Sequence, residues 1–232
     1  MRGYVAWPTG VRASACMIVF QEAFGVNAHI RDVTERFASA GFITIAPELY
    51  HRTAGDGFET GYTGFPDSVK PHFFELKDEH LAADIQAAYD WVKKTGDGLP
   101  IASVGYCVGG RISTVASMTV PLMCGISYYG GGIASGGMFQ PLTPRFNEIK
   151  SPMLFFWGGQ DAHIGPAAVR EVEDAAKSNN KSATTVIFSY ADHGFFCDAR
   201  ASYNKQAARQ AWALTLEFLE ANIAAQKTVQ TM

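Results

Sequence analysis

Short apolar runs recur along the chain, and between them lie stretches in which apolar residues return every three or four positions. The runs are GYVAW (3–7), ACMIVF (15–20), FITIAP (42–47), IASVGY (101–106), LMCGISYY (122–129), MLFFW (153–157) and TTVIFSY (184–190). Most are apolar at successive positions, so both faces need cover, as in strands held between two helical layers. The periodic stretches predict helices. Over 27–40, Ile30, Val33 and Phe37 share a face, with Asn27 placed to cap the start and Gly41 the end. Over 78–94, Leu81, Ile85, Ala88 and Val92 form the stripe, and Asp78 and Glu79 sit where the helix dipole favours negative charge. Over 203–224 the expected stripe is Ala208, Trp212, Leu216, Leu219 and Ile223.

Strands alternating with helices predict an α/β fold, a doubly wound, mostly parallel sheet of about seven strands. Two stretches show no period. Residues 51–76 mix Gly, Pro and Thr with aromatics, and 130–146 include GGGIASGG and two prolines. Long irregular insertions of this kind are often functional loops. With no repeat and no linker, residues 1–232 read as one domain.

Composition narrows the function classes. Hydrophobic residues make up 47% and charged residues 18%, and the net charge of −3 leaves no basic footprint for nucleic acid. No apolar run is long enough to cross a membrane, and MRGYVAWPTG lacks the apolar centre of a secretory signal. Cys16, Cys107, Cys124 and Cys197 are scattered without a C-x-x-C pair, which argues against a zinc site or a redox dithiol. Cys16 and Cys124 read as core residues. A reduced, cytoplasmic protein with no metal or other cofactor is the expectation, and the oligomeric state stays open.

GYCVGG (105–110) stands apart. It follows an apolar strand run and places Cys107 among Gly105, Gly109 and Gly110. The pattern matches the Gly-x-Ser-x-Gly nucleophile elbow with sulfur for oxygen. Such a nucleophile needs an acid and then a histidine after later strands. WGGQDAHIG supplies Asp161, and SYADHGFF supplies His193, 54 and a further 32 residues on. That leaves room for a strand–helix unit in each interval. Each residue also has a plainer reading: Asp161 as a helix cap, His163 as a structural hydrogen-bonder in the acid's loop, and Glu22 as a partner for Arg200. His51, Arg52 and His72 read as solvated loop residues.

QEAFGVNAHIRDVTERFASAGFITIAPELYHR, GYCVGG, WGGQDAHI and ADHGFF together resemble the dienelactone hydrolase family, the carboxymethylenebutenolidases, from about residue 3 to 220. The resemblance implies an α/β-hydrolase fold with a Cys–His–Asp triad, here Cys107, His193 and Asp161. It also implies that Glu22 stands beside the thiol and that the amides of Ala23 and Val108 form the oxyanion hole. The expected activity is cleavage of a small lactone or ester through a thioester acyl-enzyme.

The family's carboxylate clamp uses two arginines. This chain has none between Arg52 and Arg111, so Arg200 stands as the second without the first unless Lys70 or Arg52 replaces it. Arg200, Tyr62 and Lys70 are the candidate substrate-binding residues. The N-terminal strand looks short, as though a first hairpin strand were absent. The alternatives are a general carboxylesterase or thioesterase for neutral substrates and a non-catalytic binding homologue. A Cys-elbow protein of the amidotransferase-like or chaperone type would place a histidine after the cysteine, where this chain has Val108.

Overall fold

The computed structural model describes residues 1–63, 65 and 67–230, without the side chains of 227–230. Seven strands form one sheet: β1 (Gly3–Ala6), β2 (Ala15–Phe20), β3 (Phe42–Pro47), β4 (Ile101–Tyr106), β5 (Cys124–Tyr128), β6 (Met153–Gly158) and β7 (Ala183–Phe188), in the order β1-β3-β2-β4-β5-β6-β7. Only β1 runs antiparallel, against β3; the other pairings are parallel.

The helices are α1 (Ala28–Ser39), the short α2 (Lys70–Phe73), α3 (Asp78–Thr95), α4 (Val108–Thr119), α5 (Pro166–Ser178) and α6 (Lys205–Gln230). From β2 the chain crosses toward one edge of the sheet, and from β4 it crosses toward the other. Right-handed crossovers therefore put α1 on the opposite face from α3, α4 and α5. Helix α6 returns to the α1 face, where Trp212 meets Phe37 at 4.8 Å between ring centroids. The reversal between adjacent β2 and β4 leaves a crevice at their C-terminal ends, the place where open α/β sheets bind ligands.

The expected helical stripes are buried in α1 and α3. The Asn27 side chain caps α1 by accepting from the Ile30 amide at 3.2 Å, and Gly41 turns the chain away with φ +95°. Every residue of β2 to β6 is buried, Cys16 and Cys124 among them.

Helix α6 and strands β5 and β7 differ from expectation. Helix α6 starts two residues late because the Asn204 side chain caps it, its Oδ1 accepting from the Ala207 amide at 3.1 Å. Its deepest residues are Ala207, Ala208, Ala211, Thr215 and Leu219, whereas Trp212, Leu216 and Ile223 lie half-buried on the flank. Small side chains let this helix approach the sheet closely enough for the Thr215 and Tyr128 hydroxyls to meet at 2.7 Å. Strand β5 stops at Tyr128, since Tyr129 turns out of the ladder with φ +39°. Strand β7 is partly exposed because it is an edge.

Two ion-pair nodes fix the long loops. Asp84 of α3 is buried and holds both Arg52 and His51, the latter at 3.0 Å. Arg52 is an exposed loop residue as read from the sequence, though paired, whereas the reading of His51 as solvated is corrected because it is half-buried against Asp84. His72, likewise expected in solvent, packs 4.6 Å from the Phe58 ring. On the other side Arg111, 1% exposed, donates to Asp78 at 2.7 Å and to the Gly132 carbonyl at 2.9 Å, tying α4 to α3 and to the glycine-rich loop.

Candidate active site

Cys107 stands between β4 and α4 with φ +57° and ψ −121°, a left-handed conformation that costs a non-glycine residue on the order of 1–3 kcal/mol. Its amide donates to the Tyr128 carbonyl at 3.0 Å, which pins the turn to β5. The turn is possible because its neighbours lack side chains. A Cβ on Gly105 would lie 1.8 Å from the Gly109 carbonyl oxygen, and one on Gly109 would lie 2.4 Å from that of Phe20. The thiol is thus lifted over the crevice at the start of a helix, where partial positive charge favours an anion.

The pairing of Phe20 with Gly105 sets the chain leaving β2 beside this elbow. Ala23 and Val108 both line the cavity over Cys107. Among the described residues neither of their amides donates in the loop and cap hydrogen bonds, which leaves both open to an oxygen seated at the thiol.

His193 follows β7, and Asp161 follows β6. Asp161 Oδ2 meets His193 Nδ1 at 2.8 Å, while Oδ1 accepts from the amides of His163 and Ile164 at 2.8 and 3.0 Å. Asp161 is therefore held by its own loop and does not cap α5, whose N-terminal cap is Gly165. Burial works against charge on Asp161, but its bonds to His193 and the two amides outweigh it and lower its pKa. For His193, burial also opposes the charged form. The Cys107 thiolate and the bond to Asp161 more than offset burial and raise the imidazole to about 10.

The rival His163 uses its backbone amide on Asp161, while its ring lies edge-on to His193, 5.4 Å between centroids, and lines the cavity. Tyr129, which the sequence reading passed over, packs edge-on against the other catalytic candidate surface, 5.1 Å from the His193 ring. Only its place at the end of a strand run, before the glycines, could have marked it.

Glu22 is completely buried just past β2, and its Oε1 accepts from Arg200 at 3.3 Å. The pairing considered from sequence is formed, and no hydrogen bond joins Glu22 to Cys107 among the described residues. Arg200 also lies over the rings of Phe24 and Tyr62, at 5.9 and 5.7 Å from their centroids. The Tyr62 hydroxyl accepts from Asn27 Nδ2 at 2.9 Å.

Above these groups opens a cavity of about 750 Å³ that contains Cys107, His193, Arg200, Tyr62 and Lys70. Lys70 is at its rim, paired with Asp67 at 2.5 Å. Arg52 is absent from the lining because Asp84 holds it elsewhere, so it does not supply the missing clamp residue. Phe65, Phe73 and Phe74 come from one irregular loop, and Met138 and Phe139 from the other. Both loops singled out from sequence form walls of the site. The first is stitched to the exit of β2: Gly25 bridges Glu59, Thr60 donates to the Phe24 carbonyl at 3.0 Å, and Glu59 pairs with Arg31 of α1.

Residues 1–223 match the dienelactone hydrolase family model. A protein from Synechocystis sp., provisionally named carboxymethylenebutenolidase, is 37% identical over 90% of this chain and 87% of its own length. One of the same provisional name from Escherichia coli is 30% identical over 88% and 76%. The crystal structure of a provisionally named dienelactone hydrolase from Klebsiella pneumoniae subsp. pneumoniae superposes with a TM-score of 0.83 at 30% identity, covering 96% of this chain and 92% of that one. No helix among the described residues is long and apolar enough to cross a membrane.

Proposed function

This chain belongs to the dienelactone hydrolase family of α/β-hydrolases, and we propose that it cleaves a lactone or ester bond with Cys107 as nucleophile, through a thioester acyl-enzyme. The observation that carries this reading is the strained elbow that presents Cys107 to a large cavity shared with the Asp161-bonded His193.

The thiolate attacks the substrate carbonyl, and the amides of Ala23 and Val108 hold the oxyanion that forms. Each such donor is typically worth roughly 100- to 1,000-fold in rate. The tetrahedral adduct collapses, the carbon–oxygen bond breaks, and His193 Nε2 gives its proton to the departing alkoxide. A lactone opens at this step and keeps both halves on one molecule. His193 then takes a proton from water, whose oxygen attacks the thioester and releases the carboxylate product. Asp161 keeps the imidazole in the tautomer and orientation that these transfers need.

The cavity falls within the usual size range for sites that take drug-sized ligands, and its wall is mostly apolar, with Phe24, Tyr62, Phe65, Phe73, Phe74 and Phe139 on it. The substrate is therefore read as an ester or lactone with an apolar or unsaturated body. Arg200 gives it a place for a carboxylate, since a charge-assisted contact there is shielded from water. Tyr62 shapes the guanidinium's position, and Lys70 stands at the entrance. Glu22 holds Arg200 when no anionic ligand is bound. A second reading, an esterase for neutral substrates, draws support from that same pairing, which leaves Arg200 already neutralised.

The test is hydrolysis of small aryl esters and of an acidic lactone by the wild type and by Cys107→Ala. The variant is expected to fold and to lose turnover of both substrates. Turnover at the wild-type level in Cys107→Ala would overturn the reading.

A further inference from the structure

Beside Arg200 and Tyr62, beneath the cavity lining, three buried side chains from distant stretches converge. They are Glu22 after β2, His29 in the first turn of α1, and Cys197 four residues past His193. Their ligand atoms all lie within 4.8 Å of one another. Glu22 and Cys197 are 0% exposed and His29 is 4% exposed. Arg200 occupies only Glu22 Oε1, leaving Oε2 with no hydrogen-bond partner. Both ring nitrogens of His29 are also buried without a partner. Orphaned buried polar atoms normally cost on the order of 1–3 kcal/mol each, so three together call for an explanation.

The chemistry of the donors supplies one. A thiol sulfur, an imidazole nitrogen and a carboxylate oxygen form the mixed set that zinc accepts and that magnesium or calcium does not favour. We propose that Glu22, His29 and Cys197 form a binding site for one divalent cation of the zinc class, separate from the Cys107–His193 pair. Ligands at roughly 2.0–2.3 Å around a tetrahedral centre stand about 3.3–3.8 Å apart, so closure needs side-chain adjustments on the order of 1 Å. Three protein ligands leave the fourth position open, the pattern of accessible sites and not of closed structural ones.

A free cysteine is mostly the neutral thiol at neutral pH, so binding at Cys197 forms the metal–sulfur bond and releases that proton to solvent. A neutral imidazole at His29 offers a nitrogen lone pair to the cation. Glu22 and a Cys197 thiolate bring two negative charges to the dication, and Arg200 on Glu22 Oε1 leaves the loaded site with one positive charge in excess.

The experiment adds cobalt(II) to the Cys107→Ser protein, so that the catalytic thiol cannot serve as a rival ligand. One equivalent is expected to bind, with thiolate-to-cobalt charge-transfer absorption and the strong visible bands of four-coordinate cobalt. X-ray absorption should find one sulfur and at least one imidazole around it. Adding Cys197→Ser should abolish the charge-transfer band, and adding His29→Gln should weaken binding at least about tenfold. Zinc should compete with cobalt and raise the melting temperature of Cys107→Ser. No charge-transfer band in Cys107→Ser overturns the proposal, as does a band that survives Cys197→Ser or a shell with no sulfur. Ester turnover enters none of these readouts, so failure here leaves the hydrolase reading standing, and the reverse holds too.

Discussion

Replacing Gly109 with alanine adds one methyl group at the point where α4 starts beneath the end of β2. That Cβ would lie 2.4 Å from the Phe20 carbonyl oxygen, 2.5 Å from that of Gln21 and 2.8 Å from the Phe20 carbonyl carbon. All three are backbone atoms and cannot rotate away. Restoring ordinary contact requires the first turn of α4 and the exit of β2 to part by about 1 Å. One of these segments carries the Val108 amide and the other the Ala23 amide, so the gap between the two proposed oxyanion donors widens by a similar amount. A misplacement of that size costs about 100-fold, and complete loss of one donor up to about 1,000-fold. The expected fall in kcat/KM for an aryl ester is therefore about 100- to 1,000-fold, or roughly 2.7–4 kcal/mol of transition-state stabilisation. The overpacking itself should cost about 1–3 kcal/mol of stability, visible as a lowered melting temperature in a protein that still folds. Gly55→Ala is the control, because a Cβ there meets nothing within 4 Å and the residue does not line the cavity. A folded Gly109→Ala protein whose kcat/KM stays within about threefold of wild type would refute the placement of the oxyanion donors.

The thiolate is the leading cause that raises His193, so Cys107→Ser should move its imidazole titration, followed by NMR, toward lower pH; an unchanged titration would mean that the two do not interact. A histidine raised in this way stabilises the fold fully below its unfolded value of about 6.5, and the contribution fades as pH climbs toward about 10. Wild-type melting temperature should therefore decline across that interval more steeply than that of His193→Gln. Asp78→Asn leaves the Arg111 charge buried with weaker compensation and should cost about 3 kcal/mol in denaturant unfolding; a loss under about 0.5 kcal/mol would show that Arg145 and the Gly132 carbonyl never depended on it. Arg200→Ala should raise KM for an acidic lactone at least about tenfold more than for a neutral ester of similar size, and equal effects would assign Arg200 a structural role toward Glu22.

The parts of this molecule that were legible in its sequence are those with a local signature. The apolar runs of β2 to β6 and the stripes of α1 and α3 follow from burial on two faces or on one. Glycines at 105 and 109 announced close backbone approach, and the order of Cys107, Asp161 and His193 matched strand ends. Long-range electrostatics left no such mark. That Asp84 would claim both Arg52 and His51 depends on how a loop folds back onto α3, and no spacing encodes it. The same holds for Glu22, His29 and Cys197, which share a pocket only because β2, α1 and the segment after His193 converge. The stripe of α6 was misplaced because Trp212 and Leu216 looked like its centre, whereas close packing on the sheet selected the alanines.

The stitching of the first long loop to the exit of β2 divides the wall of the cavity into two parts with different tolerance for change. Residues 58–60 are bonded to the segment that carries Ala23, and Gly25 fits there only because a Cβ would lie 2.2 Å from the Phe58 carbonyl oxygen. A substitution in that base is transmitted to the chemistry within one or two residues. The tip that bears Phe65, Phe73 and Phe74 has its own short helix, and none of its backbone hydrogen bonds reaches the exit of β2 among the described residues. Selection for a new substrate, in nature or in a library, can therefore rewrite the tip while the catalytic rate per productive encounter is retained, and it pays twice for every change made at the base.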